Sequence, residues 1–482
     1  MSRAHSLHRR FFFLFLMCVV LALRALPSEA AAPLLHVSSN GRYLATPSNQ
    51  PFFLVGDTAW SLALSLTESE ASFYLSTRVS QGFNTVFMDA VGLKSIVSGV
   101  STDRNGNAPF NGTLPGGQYD VSTVPAPGDT TSSAGRYWQH IDNLITMAND
   151  LNIQIALDVY DTYCPWFQTG TRDGNSPSSA AKLQAYGQFL GQRYGGFPNI
   201  IWVFGNDYVV TSAGNVDMAA VIQGIRQFDT VHPITLEMDS AQGFPPAAFD
   251  NATLRPWLQL NGIYLYNTGP YRSIYLGQYN RSDFGPVLNS ETGYELNSGI
   301  GVTPATIRLG HYVMLLSGSV GDLYGNERVG GAFSGGPFAA DWQTQLHSQG
   351  AREMTHFATF LVSIPWAALV PDQSGLVFSG VGSPTDYSGA WVTDGTLAVG
   401  YKPPTGTGGQ SFLINMSRFA GLVTARWFDP TAGTYSAIGS GFANSGTRTF
   451  TSPSTNSAGQ NDWVLVLTTA VPPEPPTNLQ VR

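Results

Sequence analysis

Eight short apolar runs recur along this chain with amphipathic, helix-periodic stretches between them, and no other feature of the sequence constrains the fold as tightly. The runs are Phe52–Gly56, Asn84–Met88, Ile153–Asp158, Asn199–Phe204, Ile234–Met238, Leu260–Leu265, Val287–Asn289 and Ser319–Leu323. Helical stretches between them are Glu68–Gln81, opened by the cap signal Thr67-Glu-Ser-Glu70, then Tyr137–Leu151, Ser179–Tyr194, Val216–Phe228 and Pro304–Leu316. The last follows Thr303 and carries proline at its first position, where a missing N–H costs nothing. Such alternation is the pattern of parallel βαβ units, and eight of them predict an α/β fold, a (β/α)8 TIM barrel over residues 33–375. A doubly wound open sheet is the alternative. It calls for a phosphate-binding glycine fingerprint after the first strand, and Gly56-Asp57-Thr58 is not one.

From about Ser379 the texture changes. Short alternating runs at Gly389–Val392, Leu397–Tyr401, Ser411–Met416, Val423–Phe428, Tyr435–Ile438 and Trp463–Leu467 predict a small all-β sandwich domain over 379–470, followed by a proline-rich tail, 471–482. The Gly/Pro/Ser/Asn-rich stretch Val91 to Ser133 reads as a long loop after the second strand, on the rim of the barrel.

The N-terminus sets the expected compartment. Arg3, Arg9 and Arg10 precede the apolar run Phe11 to Leu23, and small residues follow around Ser28-Glu29-Ala30, so residues 1–32 read as a cleaved signal peptide. The run falls short of the roughly 20 residues a spanning helix needs, and Arg24 interrupts it. The expectation is a secreted, extracellular or periplasmic protein. Cys18 lies in the leader, which leaves Cys164 alone and excludes an intrachain disulfide or a cysteine-based metal site. Asn-x-Ser/Thr sequons begin at Asn111, Asn251, Asn280 and Asn415. Charged residues make up only 12%, with 24 Lys+Arg against 32 Asp+Glu, so nucleic acid and anionic lipid are not expected partners.

Function in a barrel is sought where the strands end and the loops converge. Polar residues at those ends are Asp57, Asp89, Asp158 and Asp161, Asn206 and Asp207, Glu237 and Asp239, Tyr266 and Asn267, Glu291, Asp322 and Tyr324. The ring is acidic. Oxygen-ligand metal binding is one chemistry it admits, but the chain lacks a His-x-x-x-His pair and a loop of calcium-binding spacing, and no metal or cofactor is expected. Paired carboxylates acting on a glycosidic bond are the other: one protonated, one ionised, on opposite sides of an anomeric carbon. Trp60, Trp166, Trp202, Tyr160, Tyr163 and Tyr266 can stack on sugars or simply fill the core.

Two segments stand out. Asn199-Ile-Ile-Trp-Val-Phe-Gly-Asn-Asp207 ends an apolar strand with a small residue and two polar groups, which also suits a turn or a helix cap. Pro286-Val-Leu-Asn-Ser-Glu291-Thr-Gly-Tyr294-Glu295 ends another in a carboxylate beside aromatic residues, which a surface ion pair would equally explain. As fourth and seventh strands they face each other across a barrel. Asp57, ahead of Trp60, either binds substrate or holds its loop; Asp158 and Glu237 are read as orienting their neighbours; His232, His311 and Cys164 are read as structural.

These residues also carry a resemblance. Asn40-Gly-Arg-Tyr-Leu through Pro51-Phe-Phe-Leu-Val-Gly-Asp-Thr-Ala-Trp60, Tyr74-Leu-Ser-Thr-Arg78 and Gln81-Gly-Phe-Asn84 resemble the opening of the apiosidase-like barrel, glycoside hydrolase family 140 and its relatives. Gly191-Gln-Arg-Tyr194, Gly-Asn-Asp207, Val287-Leu-Asn-Ser-Glu291 and Ser317-Gly-Ser-Val-Gly-Asp-Leu-Tyr-Gly325 resemble its later motifs, in order, over about Leu35 to Pro371. Ala425-Arg-Trp-Phe-Asp-Pro430 and Asp462-Trp-Val-Leu-Val466 look like the collagen-binding-type β-domain that often follows this barrel. The resemblance implies a retaining hydrolase with the acid/base at Asp207 and the nucleophile at Glu291. Asp57, Trp60, Asp89, Asp158, Tyr160, Asn206, Glu237, Tyr266 and Tyr324 are assigned to substrate binding. The chain departs from the family with Gly-Asn206 in place of Gly-Gly and with Tyr264-Leu-Tyr-Asn267 lacking the expected Gln and His, so apiose specificity is not assumed. The expected function is a secreted glycoside hydrolase acting on polysaccharide or its side chains. The alternative is a non-catalytic carbohydrate- or matrix-binding protein on a degenerate barrel.

Overall fold

The computed structural model describes residues 31–94, 99–167, 176–239, 247–265, 270–297, 299, 301–330 and 338–469. Residues 1–30 of the stretch read as a signal peptide, the proline-rich tail and Tyr266 with Asn267 lie outside them. A small antiparallel ribbon of His36–Val37, Leu44–Ala45 and Pro51–Phe52 leads into eight parallel barrel strands. These are β1 (Leu54–Thr58), β2 (Thr85–Asp89), β3 (Gln154–Asp161), β4 (Ile200–Tyr208), β5 (Ile234–Met238), β6 (Asn261–Leu265), β7 (Val287–Thr292) and β8 (Gly321–Tyr324).

Hydrogen-bonded ladders run β8-β1-β2-β3-β4-β5 and β6-β7. The main-chain bond Val320 N to Val287 O, 2.8 Å, joins β8 to β7, and Leu260 N to Ile234 O, 3.2 Å, joins β6 to β5, so the sheet closes on itself. All eight apolar runs are strands. Several strands extend one to a few residues further than the apolar runs, because the ladder continues through the polar rim. Alternation does the sorting: Leu54, Phe87, Ala156, Val203, Leu288 and Leu323 pack in one buried cluster inside the barrel, while the residues between them face the helices.

Beside the single turns Leu62–Ser65 and Trp342–Gln345, the described helices are α1 (Glu68–Ser80), α2 (Ser133–Asp150), α3 (Ala180–Tyr194), α4 (Ser212–Ile225), α5 (Tyr271–Tyr279), α6 (Pro304–Leu316) and α7 (Gln349–Val362). Thr67 and Glu70 form the capping box on α1, and Thr303 caps α6 with Pro304 at its first position, as their sequences specify. α3 and α4 pack closely because a Cβ on Gly187 would lie 2.1 Å from the Val221 carbonyl and one on Gly224 2.2 Å from the Gln184 carbonyl. Between β5 and β6 the described residues form only the 3-10 turns Ala248–Asp250 and Arg255–Trp257. α5 and α7 were not legible as helices in the sequence.

The C-terminal unit is antiparallel throughout. Its strands are β9 (Val370–Pro371), β10 (Ser388–Trp391), β11 (Leu397–Tyr401), β12 (Ser411–Asn415), β13 (Val423–Asp429), β14 (Thr434–Phe442), β15 (Thr447–Thr451) and β16 (Val464–Thr469). Six form one sheet in the order β9-β10-β11-β16-β13-β14, and β12 pairs with β15. The sheet takes in Val370–Pro371, upstream of the texture change at Ser379. It packs on α6 and α7: Tyr312 stacks on Tyr401 at 5.2 Å and 21°, and Phe360 meets Phe428 at 5.1 Å. The two units share one continuous buried cluster. No helix among the described residues is long and apolar enough to cross a membrane.

Candidate active site

β4 carries its alternation to Val203 and then breaks it. Gly205, Asn206 and Asp207 have φ of 132°, 58° and 61°, three consecutive residues in conformations that L side chains rarely adopt. Glycine is required at the first, since a Cβ there would lie 2.1 Å from the Glu237 carbonyl oxygen. Neighbouring strands hold the turn. Thr162 N donates to Gly205 O at 2.8 Å, Thr162 Oγ1 to Asn206 O at 2.7 Å, and Asp207 N to Glu237 Oε2 at 2.5 Å. The Tyr163 hydroxyl donates to Asp207 Oδ2. The half-buried Asp207 is thereby presented at the barrel mouth.

β7 reaches the same place by a different irregularity. Its register against β6 slips at Ser290, so that Asn289 pairs with Ile263 but Glu291 with Tyr264. Asn289 anchors the strand through Nδ2, which donates to Asp322 Oδ1 at 2.8 Å. Glu291 is 5% exposed. One carboxylate oxygen from each of Asp207, Glu237 and Glu291 lies within 4.8 Å of the other two. Trp60 Nε1 donates to the Tyr294 hydroxyl at 2.7 Å, and Tyr294 hydrogen-bonds Glu291.

So many carboxyls in a buried space cannot all be ionised. Burial, and then the charge of Asp207, push Glu291 well above the usual carboxylate range; hydrogen bonds with Tyr294 and Glu237 partly offset this. Burial, then Glu291 and Asp207, raise Glu237 in the same way. Next to them, burial raises Asp89 and Asp158, helped by Asp161, and pushes Asp161 itself up to about 7. Of the expected pair, one protonated and one ionised, the nucleophile candidate Glu291 is itself raised by burial, which corrects the expectation that it is simply left ionised. Asp207, Glu237 and Glu291 are also the grouping among the described residues close enough to converge on a cation, with an all-carboxylate donor set.

Several expected substrate contacts are turned elsewhere. Leu323 and Gly56 face the barrel interior, so their neighbours Asp57 and Tyr324 face outward. Asp57 is fully buried against α1, accepting from Arg78 Nε at 2.7 Å and from the Tyr74 hydroxyl at 2.5 Å. The Tyr324 hydroxyl donates to Glu295 at 2.5 Å. Tyr160 stacks on Phe167 at 4.6 Å and donates to its carbonyl, which makes it core. Trp60 is a prop for Tyr294 rather than an open stacking face. Asp89 and Asp158 pair in register between β2 and β3, and each keeps one buried oxygen without a hydrogen bond, beneath the mouth and not on its surface. Asn206 sits half-buried on the rim, and Glu237 belongs to the carboxyl trio.

The structure adds residues not assigned to the site from sequence. Tyr294 contacts Glu291 and Thr162 braces the turn, while Tyr163, expected only as a stacking or core aromatic, donates to Asp207; the position of Tyr294, just beyond Glu291 in the same motif, was the available signal. Cys164 is buried with its thiol donating to Asp161 at 3.3 Å, and His232 and His311 pair with Asp229 and Asp322, in keeping with structural roles. A separate polar cavity of about 630 Å³ opens on the outer wall between the first turns of α1 and α2, lined by Thr67, Arg136 and His140 among others; it includes none of the trio.

Comparisons with known proteins agree with this architecture. Residues 38–368 match the family described as "Apiosidase-like, catalytic domain", and residues 370–468 the one described as "Putative collagen-binding domain of a collagenase". A solved glycoside hydrolase family 5 protein from Bacteroides vulgatus is 23% identical with a TM-score of 0.74, covering 92% of this chain and 95% of its own. Another solved structure, described as a glycoside hydrolase, is 22% identical with a TM-score of 0.72, covering 91% and 97%. At these identities the likeness is one of fold. No curated protein matches the chain.

Proposed function

Given that the chain belongs to the family of apiosidase-like catalytic domains, we propose that it is a secreted, retaining glycoside hydrolase acting on polysaccharide or its side chains. The observation that carries the mechanism is the approach of Asp207 and Glu291 oxygens to within 4.8 Å across the mouth. Retaining enzymes hold their carboxyls about 5–5.5 Å apart, whereas inverting ones leave about 6.5–9.5 Å for a water between them.

In the first step Glu291 attacks the anomeric carbon while Asp207 gives its proton to the glycosidic oxygen. The bond to the leaving alcohol breaks and an ester bond to Glu291 forms. In the second step Asp207 takes a proton from water, whose oxygen attacks the same carbon and releases Glu291. Two inversions give net retention. Ionisation of Glu291 during attack is favoured by its hydrogen bond from Tyr294. The acidic mouth, with few cations near it, suits an uncharged sugar ring offering hydroxyl donors.

The test is a screen of the purified protein against plant cell-wall polysaccharides, pectic ones included, reading sugar and oligosaccharide release beside Glu291→Gln. Release that disappears in the variant is the expected result. No release from any substrate by the wild type, with binding retained, would overturn the enzyme reading in favour of a binding protein.

A further inference from the structure

We propose that Glu237 is a positioning residue for this reaction: its Oε2 braces the left-handed Gly205–Asp207 turn through the Asp207 N–H and so fixes the acid/base carboxyl at its working distance from Glu291. The inference rests on the reading of Asp207 and Glu291 as the reacting pair. Three independent features of the turn carry it.

First, the backbone there is strained. Asn206 and Asp207 both sit at positive φ, 58° and 61°, conformations that non-glycine residues keep only when their surroundings hold them. Second, Glu237 contacts that turn twice. Its side chain accepts Asp207 N–H at 2.5 Å, and its main-chain carbonyl lies where a Cβ on Gly205 would be, 2.1 Å away. Third, Glu237 is fully buried, so it is not open to a substrate hydroxyl, yet one of its oxygens lies within 4.8 Å of both Asp207 and Glu291. A side chain that holds the Asp207 backbone, lies close to both carboxylates and is sealed from solvent acts on the reaction through them.

Two substitutions separate bracing from mere packing. Glu237→Met fills the same space without an acceptor, and Glu237→Gln keeps a side-chain carbonyl that can take the Asp207 N–H. Both are assayed below their melting transitions, on a natural glycoside and on an aryl glycoside whose leaving group needs little protonation. For Glu237→Met we expect kcat on the natural glycoside to fall about a hundredfold, as for a catalytic group misplaced by about 1 Å, with KM within about twofold. The aryl glycoside should lose about tenfold or less, because acid assistance matters less there. Glu237→Gln should recover most of the natural-substrate kcat.

Equal kcat for Glu237→Met and wild type overturns the brace. So does an equal loss in both variants, or a loss that falls on KM. Should Glu237→Met not fold, Glu237→Gln decides alone: retained kcat supports the brace, and a hundredfold loss overturns it. A wild type that is inactive on every substrate would instead defeat the proposed activity.

Discussion

Arg308 on the barrel helix α6 and Asp462 in the β-domain form an ion pair, Nε to Oδ2 at 2.7 Å, in which the side chains are 1% and 0% exposed. Arg308 Nη1 also reaches Glu353 of α7 at 2.6 Å, and the Tyr401 hydroxyl donates to Asp462 at 2.9 Å. Burying charges is costly unless each is paired and hydrogen-bonded, and here both conditions are met. The β-domain is thus fastened to the outer wall of the barrel, on the side carrying α6 and α7.

Removing the cation should expose that cost. Arg308→Met would leave the buried carboxylates of Glu353 and Asp462 without their shared cation, and we expect a loss of about 3–5 kcal/mol in urea unfolding. Wild type should unfold in one transition, since the two units share a core. Two well-separated transitions, or a loss below about 1 kcal/mol, would contradict the fastening.

Gly205→Ala should be among the most damaging single changes available. The new methyl would meet main-chain atoms that cannot swing away, so we expect about 2–4 kcal/mol of destabilisation and loss of turnover. Gly196→Ala is the control: nothing lies within 4 Å of its Cβ position, and stability should change by no more than about 0.5 kcal/mol. Similar thermal shifts for the two variants would rule the constraint out.

Asp207→Asn and Glu291→Gln should both fold and both lose turnover, the first by about 10²–10⁴-fold, the usual scale of general acid–base assistance. Proton NMR of the first-formed product should show the same anomer as the substrate. The opposite anomer would mean inversion and would remove Glu291 from the nucleophile's role.

Stability should fall as pH rises through the window set by the buried carboxyls. A carboxyl raised on folding binds more protons folded than unfolded, so its contribution is present below its unfolded value near 4 and fades as pH climbs to the folded one. For Asp161 that folded value is about 7, and Asp89, Asp158, Glu237 and Glu291 are raised as well. His356, half-buried and lowered, works in the other direction but is one group against five. Tm measured from about pH 4.5 to 7.5 should therefore decline, with a shallower slope in Asp161→Asn. A rising Tm across that range would contradict the sign.

The order of elements was legible in the sequence because it depends on local patterning. Apolar runs of strand length marked all eight barrel strands, and Thr67 with Glu70 and Thr303 with Pro304 marked where two helices start, since capping acts over a single turn. The strand-end carboxylates Asp207 and Glu291 were legible as polar groups that interrupt apolar runs, but as two in a ring of such groups, and the family resemblance singled them out. What the sequence could not show is which way a side chain faces once the sheet closes. Asp57 and Tyr324 differ from inward residues by a single step of the strand, and the slip at Ser290 reverses that parity for Glu291. The partnership of Glu237 with Asp207, and that of Arg308 with Asp462 across 154 residues, exist only because barrel closure and domain docking bring distant backbone together. Local propensity specifies the strands and helices; closure of the barrel decides which of their polar groups meet.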